Sequence, residues 1–175
     1  VMGRNPSKFP RARWDVPVTS VTWSEARAYA ELFSVQTRAA DGGAAPADGP
    51  AEVEAPEFRL PSTAEWECAA RVGGLALPVS FSWRDAGLRR RRPVASGSAD
   101  ALGVFDLAGN VEEWASGDAT PEASAEPNDG QTAVGFVCGG HFGAVGGSCR
   151  VHDASESSRS SVRGLRLARS AGQQH

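Results

Sequence analysis

Thiols and imidazoles are the groups in this sequence best suited to redox or metal chemistry. They come from six residues: Cys68, Cys138, Cys149, His141, His152 and His175. Because the cysteines are odd in number and have no Cys-x-x-Cys spacing, the pattern predicts neither a zinc knuckle nor a framework of paired disulfides. We expect reduced thiols, which are compatible with the cytoplasm but leave localisation unknown. Cys68 is expected to pack as a small apolar residue.

Other catalytic patterns are missing from the sequence. Ser148, His152 and Asp153 are crowded into one segment without a nucleophile-elbow motif, which argues against a serine nucleophile. The glycine-rich residues 139–147 lack the Gly-Lys-Ser/Thr ending of a phosphate loop. These observations exclude two common enzyme classes.

Charge gives little support for nucleic-acid or membrane partners. The 18 Lys and Arg and 21 Asp and Glu residues give a net charge of −3, which provides no broad attraction for polyanions. The four arginines at 89–92 have no interleaved aromatic residues, so a solvated loop is favoured over a phosphate clamp. No uninterrupted apolar segment reaches the roughly 20 residues that span a bilayer. The first six residues also lack the apolar core of a signal peptide.

Two helices are predicted to position these groups. Residues 17–23 are β-rich and lead to Ser24, a suitable N-cap, after which Ala26, Tyr29, Ala30 and Phe33 form one apolar stripe. The second helix is expected to begin at the capping box Ser62-Thr-Ala-Glu65 and to end at Gly73-Gly74. Its buried stripe consists of Trp66, Ala69 and Ala70.

The length of 175 residues predicts one domain, over residues 1–170. Short strands, two helices and long irregular connections predict that this domain is of the α+β class. Residues 37–57 change to Ala, Gly, Pro, Asp and Glu, so we expect a disordered insertion there. A plain linker is favoured over an acidic docking segment. Residues 133–138 are predicted to form a core strand, and residues 171–175 a frayed tail.

Four motifs together resemble one protein family. They are Phe58-Arg-Leu-Pro-Ser-Thr-Ala-Glu-Trp-Glu-Cys-Ala-Ala-Arg71, Gly103-Val-Phe-Asp-Leu-Ala-Gly-Asn-Val-Glu-Glu-Trp114, Gly139-Gly-His-Phe142 and Arg163-Gly-Leu-Arg-Leu-Ala168. The set is similar to the formylglycine-generating enzyme and sulfatase-modifying-factor family, which implies a C-type-lectin-like fold. In that family the Met2-Gly-Arg-Asn-Pro-Ser7 element usually lies inside the domain. We therefore expect a fragment or a copy that lacks the usual N-terminal part.

The resemblance implies that copper chemistry is impaired. Active members oxidise a sulfatase cysteine with oxygen and a copper ion held by two thiolates, and soft sulfur ligands favour monovalent copper. Alignment of Gly139-Gly-His-Phe142 with the family pattern puts Ala144 at the first thiol position and Cys149 at the second. Copper binding is therefore not expected. A rebuilt site of His141, Cys149 and His152 is the alternative, against a merely structural role for His141.

The resemblance also bears on iron and calcium. The ergothioneine-pathway sulfoxide synthases are iron-dependent relatives, but no His-x-x-x-His pair exists here to hold iron. The resemblance implies a calcium site from the Asn110 side chain, the Val111 main chain and the Glu113 carboxylate. The alternative is that Asn110 and Glu113 only hydrogen-bond the turn. Glu112 departs from the Trp that is usual in the family.

The framework positions of the family are better kept. Asp106, Trp114, Arg150 and Arg166 match its Asp, Trp and two Arg, and we predict that they are buried hydrogen-bonding and packing anchors. A buried Arg166 requires a carboxylate, for which Asp106 and Glu113 are the candidates.

Retained framework beside an absent ligand cysteine predicts a non-catalytic recognition domain, a module or fragment of a larger protein. Its expected partner is a protein or peptide, bound on the surface of residues 141–161. The alternative is an oxidoreductase of the formylglycine-generating type that acts on protein cysteine through Cys149 and His141.

Overall fold

A four-stranded mixed sheet lies at the centre of the fold and carries the candidate site. The computed structural model describes residues 15–40, 58–75, 90–117, 134–142, 144–153 and 159–170. The elements along the chain are α1 (Trp23–Ala40), β1 (Phe58–Arg59), α2 (Thr63–Val72), β2 (Glu112–Ala115), β3 (Val134–His141), β4 (Ala144–Asp153), β5 (Arg163–Leu165) and β6 (Ala168–Arg169). Two helices and several short strands confirm the predicted α+β class.

The central sheet has the strand order β4-β3-β2-β5. Strand β2 pairs antiparallel with β3 and parallel with β5. This strand, which contains the end of the motif at residues 103–114, therefore lies between two strands that come later in the chain. Strands β1 and β6 form a separate antiparallel pair. The C-terminal segment therefore contacts both sheets, through β5 and then β6.

Each face of the central sheet carries its own apolar cluster. Trp114 and Val137 belong to one cluster, whereas their chain neighbours Ala115 and Cys138 belong to the other. This alternation follows from the two-residue period of a strand. Trp66 of α2 packs in the second cluster, and Ala26 of α1 in the first.

Helix α1 begins two residues earlier than predicted and ends later. Thr22 is its capping residue, because the Glu25 backbone N–H donates to Thr22 Oγ1 at 3.2 Å and the Thr22 N–H donates to the Glu25 carboxylate at 3.0 Å. Ser24 therefore lies inside the helix and not at its cap. Residues 37–40, which were assigned to the insertion, continue the helix. The rest of the insertion and the tail lie outside the described residues.

Helix α2 matches the prediction closely. The Glu65 N–H donates to Ser62 Oγ at 3.1 Å, and the Ser62 N–H donates to Glu65 Oε2 at 2.9 Å, which confirms the capping box. Arg59 holds the same carboxylate at 2.6 Å, and this hydrogen bond is the main reason that the pKa of Glu65 falls to about 2. The cap thus fixes β1 to the start of α2.

The glycine of the last family motif permits a close backbone approach. A Cβ atom at Gly164 would collide with the carbonyl oxygen of Val18. Strand β5 can therefore lie directly beneath the segment that precedes α1, and any larger residue at 164 would separate them.

Trp114 tests the importance of the central sheet for stability. The side chain is fully buried, and its indole N–H donates to the Val21 carbonyl at 2.9 Å. Trp114→Ala is expected to lower the free energy of unfolding by about 3 to 5 kcal/mol, as large-to-small core substitutions do. Denaturant unfolding measures the change. Val35→Ala, at a side chain that is 62% exposed, is the control and should stay within about 0.5 kcal/mol of the parent.

Candidate functional site

Glu113 is the most heavily bonded buried carboxylate in the described part of the chain. Arg166 donates to it from Nε at 2.9 Å and from Nη2 at 2.6 Å, and the Trp66 indole donates at 2.9 Å. Burial alone would lower the pKa of Arg166, but the Glu113 charge and hydrogen bonds raise that pKa above its ordinary value. The predicted carboxylate partner of Arg166 is confirmed as Glu113.

Glu112, which precedes Glu113 in β2, points to the opposite face and has different partners. Arg150 of β4 donates to Glu112 Oε1 at 2.5 Å, and Arg163 of β5 lies 3.4 Å from Oε2. The Arg163 guanidinium also stacks over the Trp114 ring, 4.7 Å from its centroid. Burial lowers the pKa of Arg163, an effect that Glu112 partly offsets. One carboxylate therefore serves two guanidinium groups on this face.

Both described histidines lie near this group of charges. Arg163 Nη2 is 2.8 Å from His152 Nε2, and because arginine only donates hydrogen bonds, Nε2 is the acceptor in this contact. Burial lowers the pKa of His141, an effect that the Glu112 charge partly offsets and that the charges of Arg150 and Arg163 reinforce. We call Glu112, Arg150, Arg163, His141 and His152 the charged cluster.

Cys138 and Cys149 are joined by a disulfide, so the expectation of reduced thiols is wrong for this pair. The reason is strand register. Val137 pairs with Arg150 in the β3–β4 ladder, and the Cα atoms of the adjacent residues Cys138 and Cys149 are 4.0 Å apart. Cys68 was also misassigned, because its free thiol is exposed on α2 and does not pack in the core.

The structure does not bring the predicted metal ligands together. Cys149 packs in the cluster of Trp66, whereas His152 contacts Trp114 on the other face, because residues three apart in a strand point to opposite sides. Over the described residues, no group of three or more His, Cys, Asp or Glu side chains is arranged to hold a metal. His141 lies near Glu112, Arg150 and Arg163.

The side chain of Asn110, the first predicted calcium ligand, is buried and bonded at both ends. Its Oδ1 accepts from the Arg92 N–H at 3.1 Å, and its Nδ2 donates to the Arg92 carbonyl at 3.2 Å. Its positive φ of 66° is one that Asn tolerates better than most residues. Asp106 similarly accepts from the Ala95 N–H at 3.1 Å. These contacts support the hydrogen-bonding role of Asn110 and Glu113, and calcium stays an untested prediction.

Two arginines occupy positions different from those predicted. Arg91 donates to the Pro17 carbonyl at 3.1 Å and to Thr19 Oγ1 at 2.9 Å, so this member of the arginine run points into the fold. Arg150 is not a buried anchor, because its side chain is 46% exposed. Of the four arginines, only the one at position 89 lies outside the described residues.

Sequence reasoning missed the pairing of Glu112 with Arg150 and Arg163. The sequence does contain a signal for these ion pairs. Glu112 and Glu113 are neighbours in β2 and therefore lie on opposite faces, and Arg163 and Arg166, an odd number of residues apart, can lie on opposite faces too. Two carboxylates on opposite faces of a sheet require cations on both. The strand pairing of Glu112 with Arg163 supplies one of them directly.

Comparison with known families identifies the fold. A family model described as the sulfatase-modifying factor enzyme 1-like domain matches residues 2–171. The chain belongs to this family. The resemblance found in the four motifs is thereby confirmed.

The chain matches only part of the length of each curated relative. The chain is 28% identical over 157 residues to the chaperone protein LppX of Paenibacillus barcinonensis, covering 65% of this chain and 55% of LppX. It is 42% identical over 62 residues to the serine/threonine-protein kinase Pkn1 of Chlamydia trachomatis, covering 32% of this chain and 10% of Pkn1. This chain thus spans about half the length of LppX and a small part of Pkn1.

Solved structures share the fold. CarF superposes with a TM-score of 0.63 at 28% identity, over 94% of this chain and 71% of CarF. Variable protein 1 of Treponema denticola has a TM-score of 0.62 at 23% identity, over 95% and 78% of the two chains. PvdO from Pseudomonas aeruginosa has the same TM-score at 22% identity, over 93% and 66%. Among the described residues, neither helix has the length and apolar character of a membrane span.

The Glu113–Arg166 pair gives a prediction about stability. Arg166→Met leaves the buried Glu113 without its cation and should cost about 3 kcal/mol, the lower end for buried pairs because Arg166 keeps 29% exposure. Glu113→Gln alone should also destabilise. The double variant should lose less than the sum of the single losses, and denaturant unfolding of all four proteins measures that difference. Additive losses would contradict a direct pairing.

Calcium separates the two roles left open for Asn110 and Glu113. A site present only in the folded state would stabilise the domain by roughly 2.7 kcal/mol at 100 times the dissociation constant. Asn110→Ala should abolish that gain. The hydrogen-bonding role predicts a melting temperature that does not change between millimolar calcium and chelator, measured on metal-free protein.

Proposed function

We propose that this domain is a non-catalytic recognition module that binds a polypeptide. The observation that carries the proposal is the state of the two thiol positions. The first is Ala144, and the sulfur of Cys149 at the second is bonded to Cys138. Two thiolates are required to hold monovalent copper in the oxidising members of the family, and this chain offers neither in the disulfide state.

The surrounding framework supports a binding role. Glu113, Arg166 and Trp66 hold α2 against the sheet, and Trp114 fixes the segment before α1. Such a rigid scaffold can present a variable surface to a partner without taking part in chemistry. Three members of the charged cluster, His141, Arg150 and His152, belong to the segment 141–161 on which binding is predicted.

One relative supports a polypeptide as the ligand. LppX is named a chaperone protein, and it shares 28% identity with this chain over 157 residues. The rival function is oxidation of a protein cysteine in the manner of the formylglycine-generating enzymes. That reaction would require reduction of the Cys138–Cys149 disulfide and a second copper ligand in place of Ala144.

A copper and aldehyde assay discriminates between these functions. The protein is treated with reductant, loaded with monovalent copper and incubated in air with a cysteine-containing sulfatase peptide, whose mass is then followed. We expect no aldehyde from the wild-type chain or from Cys149→Ser. An active family enzyme is the positive control. Aldehyde formation by the wild-type chain that Cys149→Ser abolishes would contradict the proposal.

A further inference from the structure

We propose that the outer face of α1 is an interface that pairs two copies of this chain, helix against helix, in antiparallel orientation. Four apolar residues of this face form what we call the outer stripe: Ala28, Leu32, Val35 and Ala39. Leu32 is 44% exposed and Val35 is 62% exposed, and Ala39 is exposed as well. The inference concerns a different segment from residues 141–161 and does not depend on the proposed function.

The outer stripe lies on the side of α1 opposite to the buried one. The buried residues of the helix are Ala26, Ala30 and Ser34, and Ser34 donates to the Phe58 carbonyl of β1 at 3.0 Å. With 3.6 residues per turn, the centre of the outer stripe is roughly 170° around the helix from the centre of this buried set. A surface helix usually carries polar residues there. Helix α1 instead carries a second apolar stripe.

The spacing of the outer stripe is that of a coiled-coil seam. Its members follow one another after four, three and four residues, so they occupy the alternating d and a positions of two heptads. In an antiparallel pair centred between residues 33 and 34, Leu32 meets Val35 of the second copy. The smaller Ala28 meets Ala39 of the second copy at each end. A twofold axis produces every contact twice, so this one surface is complementary to itself.

The charges beside the outer stripe favour the antiparallel orientation. Glu31 and Arg38 both occupy g positions and therefore lie along the same edge of the seam. The midpoint between them is one residue, or about 1.5 Å, from the midpoint of the stripe. The same twofold axis thus brings Glu31 of each copy beside Arg38 of the other. A parallel pair would put Glu31 opposite Gln36 and would lose both ion pairs.

Glu31 also has a partner on its own helix. Arg27 Nε donates to Glu31 Oε1 at 3.1 Å, with both side chains about half exposed. Exposed pairs one turn apart contribute little to stability. A carboxylate can accept from more than one donor, so this contact is compatible with a second one to Arg38 across the interface.

The pairing is expected to be weak. Two heptads form a smaller interface than the roughly 1,200 Å² at which stable complexes begin. We therefore expect a dissociation constant on the order of 100 µM, which sedimentation equilibrium between about 10 µM and about 1 mM protein measures. The Cys68→Ser chain is used, because the exposed thiol of Cys68 could otherwise crosslink two copies.

The average mass is expected to rise with concentration from that of a monomer toward twice that value. Leu32→Glu should keep the chain monomeric throughout, because it places two like charges inside the seam. Val72→Glu is the matched control and should leave association unchanged, since Val72 is 57% exposed but lies on α2. Circular dichroism of dilute protein checks that each variant keeps the melting temperature of the parent.

Charge exchange tests the antiparallel arrangement. Glu31→Arg and Arg38→Glu should each weaken association about tenfold, because each replaces two ion pairs by two repulsions. The double variant again places opposite charges across the axis and should regain most of the loss. A parent chain that stays monomeric over the whole range would overturn the inference, and so would a dimer that persists in Leu32→Glu. A double variant that associates no better than the single ones would overturn the antiparallel arrangement and the inference with it.

Discussion

The buried Glu113 carboxylate is the interaction on which the rest of the structure depends. It joins three parts of the chain that are distant in sequence: α2 through Trp66, β2 through its own backbone, and the C-terminal segment through Arg166. A buried charge is tolerated only with an opposite charge and further hydrogen bonds. Trp66 and Arg166 supply both, so the family motifs that contain them are coupled through one carboxyl group.

Adjacent residues of β2 give the two faces of the sheet different properties. Glu113 lies on the face covered by α2, where its ion pair is part of the framework. Glu112 lies on the other face and orients an arginine at the surface. A change at one position therefore need not disturb the other. This separation allows the surface around residue 150 to vary while the framework is kept.

Much of the framework could be predicted from the sequence because the signals are local. The capping box of α2 depends on residues three apart, and the requirement of Arg166 for a carboxylate follows from the cost of a buried charge. The motif resemblance supplied the topology, which no periodicity reveals.

The errors concern contacts set by strand register and by competition between neighbours. The Cys138–Cys149 bond depends on which residues of β3 and β4 lie opposite each other, and spacing along the chain does not determine that pairing. Thr22 rather than Ser24 caps α1, because Glu25 can complete a capping box only with Thr22. Helix α1 continues through Ala40 although the composition changes at Thr37, where the Thr37 hydroxyl donates to the carbonyls of the preceding turn.

The central claim is that this chain keeps the scaffold of its family but not the thiol pair of the oxidising members. Thiol mapping tests it most directly. Protein purified without reductant is denatured in the presence of an alkylating reagent, digested, and analysed by mass. The account predicts a linked peptide pair containing Cys138 and Cys149, with alkylation confined to Cys68. Full alkylation of Cys149 in protein that was folded before the denaturation step would contradict the account. A free thiol would then be present at the second copper-ligand position.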